Sequence, residues 1–113
     1  MEGDELDLRA KRRRLLEAEL GRIQPHLRRP GVRAAFLVGS FARGDVGLTS
    51  DLDIVIVQET RKRFLDRAEE WAAILQPRCA IDLFVYTPEE FADLRDRPFL
   101  RHALADGRSL LAA

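Results

Sequence analysis

The chain has a single cysteine, Cys79, among 113 residues, so an internal disulfide is excluded. It has only two histidines, His26 and His102, far apart and without metal-ligand spacing, which argues against a zinc site. No apolar run approaches the ~20 residues that span a bilayer. Net charge is also missing, because 19 basic and 19 acidic side chains cancel, and the global field gives no reason for strong general binding to nucleic acid. The acidic start MEGDELD lacks the charged-then-apolar pattern of a signal peptide, and with the lone cysteine it points to a reducing, cytoplasmic setting. His102 reads as a helix surface residue and Cys79 as a small buried hydrophobe.

What is present is ordinary globular composition, 46% apolar and 34% charged, in a length that suits one domain spanning residues 1–113. Between about Leu6 and Leu27, the residues Leu8, Leu15, Leu16, Leu20, Ile23 and Leu27 recur at helical spacing and predict one amphipathic helix. The basic run Lys11 to Arg14 reads either as a solvated helix face or as a phosphate or partner contact. A catalytic core then extends over about residues 31–111. Three short apolar runs, Ala34 to Val38, Leu52 to Val57 and Ala80 to Tyr86, read as strands of a sheet covered on at least one face. A helix with Phe64, Ala68, Trp71 and Leu75 on one stripe separates the second and third. Thr87-Pro88-Glu89-Glu90 has the composition of a helix start, and a last helix runs from Pro98 to Asp106 with Gly107 as its stop and Leu110-Leu111 packing back.

The chemistry is concentrated in GSFARGDVGLTSDLDIVIV, where ten residues separate Gly39-Ser40 from Asp51-x-Asp53. Glycine lets the backbone approach a phosphate, and the serine hydroxyl and following amides can donate to its oxygens. Phe41-Ala42-Arg43 opens a short helix whose N-terminus favours an anion, and Arg43 is a charge partner for a triphosphate or, on the plainer reading, for Asp45 or Asp51. Asp51 and Asp53, two apart on a strand, project to one side and can share a hard divalent cation. Asp82 lies in an apolar strand, where an unpaired carboxylate is costly to bury. It either completes a three-carboxylate cluster fit for two cations or pairs with an arginine such as Arg78 or Arg33.

Four specified positions at this spacing arise by chance at about 10⁻⁵ per start, so the motif is specific. Gly39-Ser40, Arg43-Gly44, Ser50-Asp51-x-Asp53 and Asp82 resemble the signature of the polymerase-beta-like nucleotidyltransferase superfamily, and within it the minimal (MNT or MntA-like) nucleotidyltransferases. The resemblance implies an α/β (α+β) nucleotidyltransferase fold, a mixed β-sheet flanked by helices. It implies two Mg²⁺ ions, held by Asp51, Asp53 and Asp82, with Asp82 helping to activate the incoming hydroxyl. Gly39, Ser40, Arg43 and Ser50 would then bind the nucleoside triphosphate.

Larger relatives carry a helical domain for the acceptor, whereas 31 residues follow Asp82 here, so the acceptor is expected on another chain or a second copy. The minimal group is typically paired with a helical HEPN toxin, and some members transfer AMP from ATP to a tyrosine of it, which makes this chain an expected antitoxin. A second reading is a binding module that silences its partner by covering it, supported by Phe99, Leu100, Leu104, Leu110 and Leu111 as core or interface. A third, transfer to a small molecule such as an antibiotic, is disfavoured by the missing acceptor domain.

Overall fold

The computed structural model describes residues 2–47 and 51–111. Ser50, expected to help bind nucleotide, lies outside the described residues.

Four strands, β1 (Val32–Val38), β2 (Leu52–Gln58), β3 (Ile81–Tyr86) and β4 (Arg108–Ser109), form one sheet in the order β3-β2-β1-β4. β1 runs antiparallel to both β2 and β4, whereas β2 and β3 are parallel, so the sheet is mixed as expected. The parallel pair requires a crossover, which is made by α3 (Phe64–Leu75). Helix α1 (Glu2–Ile23) precedes the sheet, α2 (Gly39–Ala42) is one turn at the end of β1, and α4 (Pro88–Leu94) and α5 (Pro98–Ala105) follow β3.

Strand alternation sorts the apolar residues into two layers. On one face Ala35, Leu37, Leu52, Ile54, Ile56 and Val85 pack with Leu16, Leu20 and Ile23 of α1 and Trp71 and Leu75 of α3. On the other, Val38, Val55 and Tyr86 pack with Leu100, and Phe36, Phe84 and Phe91 lie partly buried against them. Covering on both faces explains why β2 reads as a nearly continuous apolar run rather than an alternating one.

Three local expectations change. The stripe of α1 is buried only at its C-terminal half, for Leu8 and Leu15 are exposed while Leu16, Leu20, Ile23 and Leu27 are not. A helix of 22 residues is about 33 Å long and a strand of seven about 23 Å, so the start of α1 overhangs the sheet. The helix also ends at Ile23, because Pro25 lies in a 3₁₀ turn, Gln24–Leu27. In α3 the buried stripe is Arg67, Trp71 and Leu75, with Phe64 exposed at the first turn. After Gly107 the chain forms β4 against β1, with Leu110 N–H donating to the Ala35 carbonyl at 2.8 Å and the Leu110 side chain buried in the core. Of the other C-terminal apolar residues, Leu100 is core, Leu104 and Leu111 are partly buried, and Phe99 is exposed.

Arg67 occupies a core position because its donors are satisfied. It donates to the carbonyls of Lys62 and Val85 at 2.9 and 3.2 Å and to the Glu90 carboxylate at 2.6 Å. Glu90 is also the third residue of a capping box, accepting from Thr87 N–H while its own N–H donates to the Thr87 hydroxyl. One carboxylate thus ties the start of α4 to the crossover helix. Among the described residues no helix is long and apolar enough to cross a membrane.

Hydrogen bonding to Arg67 lowers the pKa of Glu90 from its ordinary value of 4.5. Its stabilising contribution is therefore complete above pH 4.5 and is lost as pH falls through the lowered folded value. Glu90→Gln is expected to cost about 1–3 kcal/mol in urea unfolding at pH 7, with a smaller difference from wild type in strong acid.

Candidate functional site

The parallel register of β2 and β3 sets Asp53 directly beside Asp82. The alternation of both strands turns the two carboxylates to the face that carries Val55, Phe84 and Tyr86. The antiparallel register sets Val38, the last residue of β1, on the other side of Asp53. The next residue, Gly39, turns the chain with φ of +80°, and a Cβ there would lie 2.3 Å from Asp53 Oδ2. Glycine at position 39 is thus demanded twice, by backbone conformation and by the carboxylate that lies against it. A contact with phosphate is one reason for glycine in such a turn, and the packing of Asp53 is another that the sequence alone does not reveal.

Helix α2 is a single turn whose N-cap residue, Val38, is extended and makes no side-chain cap bond. Arg43 N–H donates to the Gly39 carbonyl at 3.2 Å and Asp45 N–H to the Ser40 carbonyl at 2.9 Å, closing a compact loop around Ser40. Phe41 anchors this loop by burying its ring in the core. Arg43 is exposed, and its charge acts on Asp53 rather than forming the ion pair with Asp45 or Asp51 considered from sequence.

Asp53 is the group most altered by this environment. Burial, the neighbouring Asp82 charge, a hydrogen bond shared with Asp82 and the more distant Asp51 push its pKa from 3.8 up to about 6, against a smaller opposing effect of Arg43. Two carboxyl groups within hydrogen-bond reach cannot both ionise cheaply, and Asp53 holds its proton up to about pH 6.

The other two acids depart from expectation in instructive ways. Asp82 is exposed at the start of the edge strand β3, so no burial penalty demands a partner for it; its link to the site is its register with Asp53. Among the described residues it forms an ion pair with neither of the arginines considered: Arg33 bonds Glu59 at 2.7 Å, and Arg78 has no ion pair with Asp82. Asp51 lies just before β2, and its Oδ1 is 3.5 Å from Arg12 Nη2. Among the described residues no three carboxylate, imidazole or thiolate groups close on a single point that could hold a metal ion. The structure therefore brings Asp53 and Asp82 together and leaves Asp51 at the margin, drawn toward Arg12.

Arg12 and Arg13 are the neighbours that sequence reasoning left unplaced. Arg13 Nη2 donates to the Gly44 carbonyl at 3.3 Å, so the basic run of α1 touches the loop after α2 as well as Asp51. The run itself was the available signal, but its target depends on how α1 docks. Cys79, expected to be buried, is half-buried against the core, and burial raises its thiol pKa.

Residues 17–105 match the family described as nucleotidyltransferase domain, and the chain belongs to that family. Among solved structures it is similar to a candidate nucleotidyltransferase from Sulfolobus solfataricus, with 22% identity, coverage of 81% of each chain and a TM-score of 0.52. It is also similar to a chain of a toxin-antitoxin complex crystallised with AMP-PNP, with 21% identity, coverage of 83% of this chain and 73% of that one, and a TM-score of 0.54. At these identities the likeness concerns the fold. No curated protein sequence matches the chain.

Because the folded pKa of Asp53 lies above 3.8, the folded protein binds this proton more tightly than the unfolded chain. The associated stability is present at low pH and is lost as pH rises from 3.8 to about 6. Asp53→Asn removes that penalty. In EDTA the variant is expected to melt above wild type at pH 7.5, with the gap closing toward pH 4; a lower melting temperature at pH 7.5 contradicts the assignment.

Proposed function

We propose that this member of the nucleotidyltransferase domain family is a Mg²⁺-dependent nucleotidyltransferase. In this reading it moves a nucleoside monophosphate, AMP from ATP, onto a hydroxyl of a partner protein, a tyrosine of a HEPN-type toxin, and so acts as an antitoxin. The observation that carries the reading is the register of Asp53 with Asp82, with Asp53 packed against Gly39 at the start of the one-turn helix α2. A polyphosphate-holding turn and a cation-hungry carboxylate pair adjoin there.

The residues fit a hard divalent cation. Carboxylate oxygens suit Mg²⁺, and the proton that Asp53 retains up to about pH 6 marks excess negative charge that a cation would relieve. Asp53 and Asp82 would hold the cation, joined by Asp51 once it exchanges Arg12. When bound, such ions neutralise charge on the triphosphate and orient the attacking and leaving oxygens.

The chain's own residues supply the remainder. Gly39 and Ser40, with the first amides of α2, hold phosphate oxygens, and Arg43 adds positive charge on the same side. Ser50 belongs with this nucleotide-binding set by resemblance. The acceptor hydroxyl attacks the α-phosphorus, the bond to pyrophosphate breaks, and Asp82 receives the hydroxyl proton. Asp82 suits that role because it is exposed on an edge strand, where a side chain of another protein can approach it. Holding both reactants in line and neutralising their charge supply most of the catalysis in such a transfer.

Support for ATP and for a toxin partner comes from the neighbour crystallised as a toxin-antitoxin complex with AMP-PNP. A second reading, neutralisation by covering, is favoured by one feature. Phe99 is 53% exposed and lies 5.1 Å from the Phe84 ring, on the same face as Asp82, an apolar patch where a partner could seat without any transfer.

Purified protein incubated with Mg²⁺, α-labelled ATP and the product of the adjacent gene is expected to place label on that partner. The label should fall by at least about 100-fold in Asp53→Asn, which loses a group acting in the transition state. Complex formation without label in wild type would favour covering, and undiminished label in folded Asp53→Asn would sink the catalytic reading.

A further inference from the structure

We propose that Arg12, from α1, is a polyphosphate-binding residue of this site, and that its contact with Asp51 is the arrangement it adopts when nucleotide is absent. The inference rests on the nucleotidyltransferase reading above and extends it to an element outside the motif.

Consecutive arginines of α1 touch both halves of the site. Arg12 Nη2 lies 3.5 Å from Asp51 Oδ1, and Arg13 Nη2 donates to the carbonyl of Gly44 at 3.3 Å in the loop that follows Gly39-Ser40. The second contact fixes the helix against the phosphate loop, and the first carries a guanidinium to the carboxylates. Arg12 is only 25% exposed, so it is held at this position rather than extended into solvent.

The Arg12–Asp51 contact joins one nitrogen to one oxygen at 3.5 Å, the long limit of a hydrogen bond. A divalent cation held by Asp51 would take the place of this contact and draw phosphate oxygens to the same side. A guanidinium that already reaches Asp51 stands beside a phosphate held there, and its planar donors match phosphate geometry.

Charge balance points the same way. Two divalent cations offset a triphosphate but leave Asp51, Asp53 and Asp82 to be compensated, and Arg43 alone is too little. Beside α1, a cavity of about 480 Å³ is bordered, among the described residues, by Arg12, Arg22 and Arg78 and by Glu19. Arg22 and Glu19 pair at 2.6 Å and offset each other, so Arg12 and Arg78 set the sign of this wall. A net positive wall favours a polyanion.

Calorimetric titration of the full chain with AMP-PNP in Mg²⁺, and separately with Mn²⁺ alone, tests this. Arg12→Ala and Arg12→Gln are expected to bind AMP-PNP about tenfold or more weakly. Lys11→Ala should stay within about twofold of wild type, and both Arg12 variants should bind Mn²⁺ at least as tightly as wild type because Asp51 has lost a competitor. Unchanged AMP-PNP affinity in the Arg12 variants, with or without a lower melting temperature, reduces Arg12 to a structural counter-ion and overturns this inference alone. A wild-type chain that binds neither Mn²⁺ nor AMP-PNP overturns it together with the proposed function.

Discussion

Two carboxylates held side by side by a parallel strand pair are the constraint on which the remaining arrangement depends. The register of β2 and β3 leaves Asp53 no way to avoid Asp82, and burial denies it the water that would screen the repulsion. Such a pair destabilises the chain at neutral pH, so it persists only because the surrounding structure fixes it. Leu52, Ile54, Val55 and Ile56 of β2 are fully buried, and that burial on both sides of the sheet holds the strand in register.

The neighbouring elements follow from the same constraint. The end of β1 must pass close to the Asp53 carboxylate, so the chain needs a residue without a Cβ at position 39 and a positive φ to turn away, and one turn of helix follows. β3 must run parallel to β2, so a crossover helix is required, and Arg67 on that helix bonds the Val85 carbonyl and the Glu90 carboxylate, securing the far end of β3 to α4. The site is thus supported from the strand that carries Asp82 as well as from the one that carries Asp53.

Much of this was legible in the sequence because it rests on short-range rules. The three long strands, the crossover helix, the capped start at Thr87 and the proximity of Asp53 to Asp82 all follow from periodicity, cap chemistry and strand alternation. What escaped depends on tertiary geometry. β4 is two residues long and has no pattern of its own. Arg67 lies inside because three acceptors wait there, which no propensity reveals. Asp82 was expected to be buried because its strand is apolar, yet it lies exposed where the edge strand begins. The direction of Asp51, toward Arg12 rather than toward its companions, is set by the docking of α1, and 39 positions separate the two residues.

The central claim is that Asp53 and Asp82 form the cation-binding core of a nucleotidyl-transfer site. Crystals grown with Mn²⁺ and AMP-PNP, measured at the manganese absorption edge, address it most directly. The account predicts an anomalous peak bridging the Asp53 and Asp82 carboxylates, with the triphosphate along the turn that begins at Gly39. Manganese and nucleotide bound elsewhere, with that pair still sharing a proton, would contradict it.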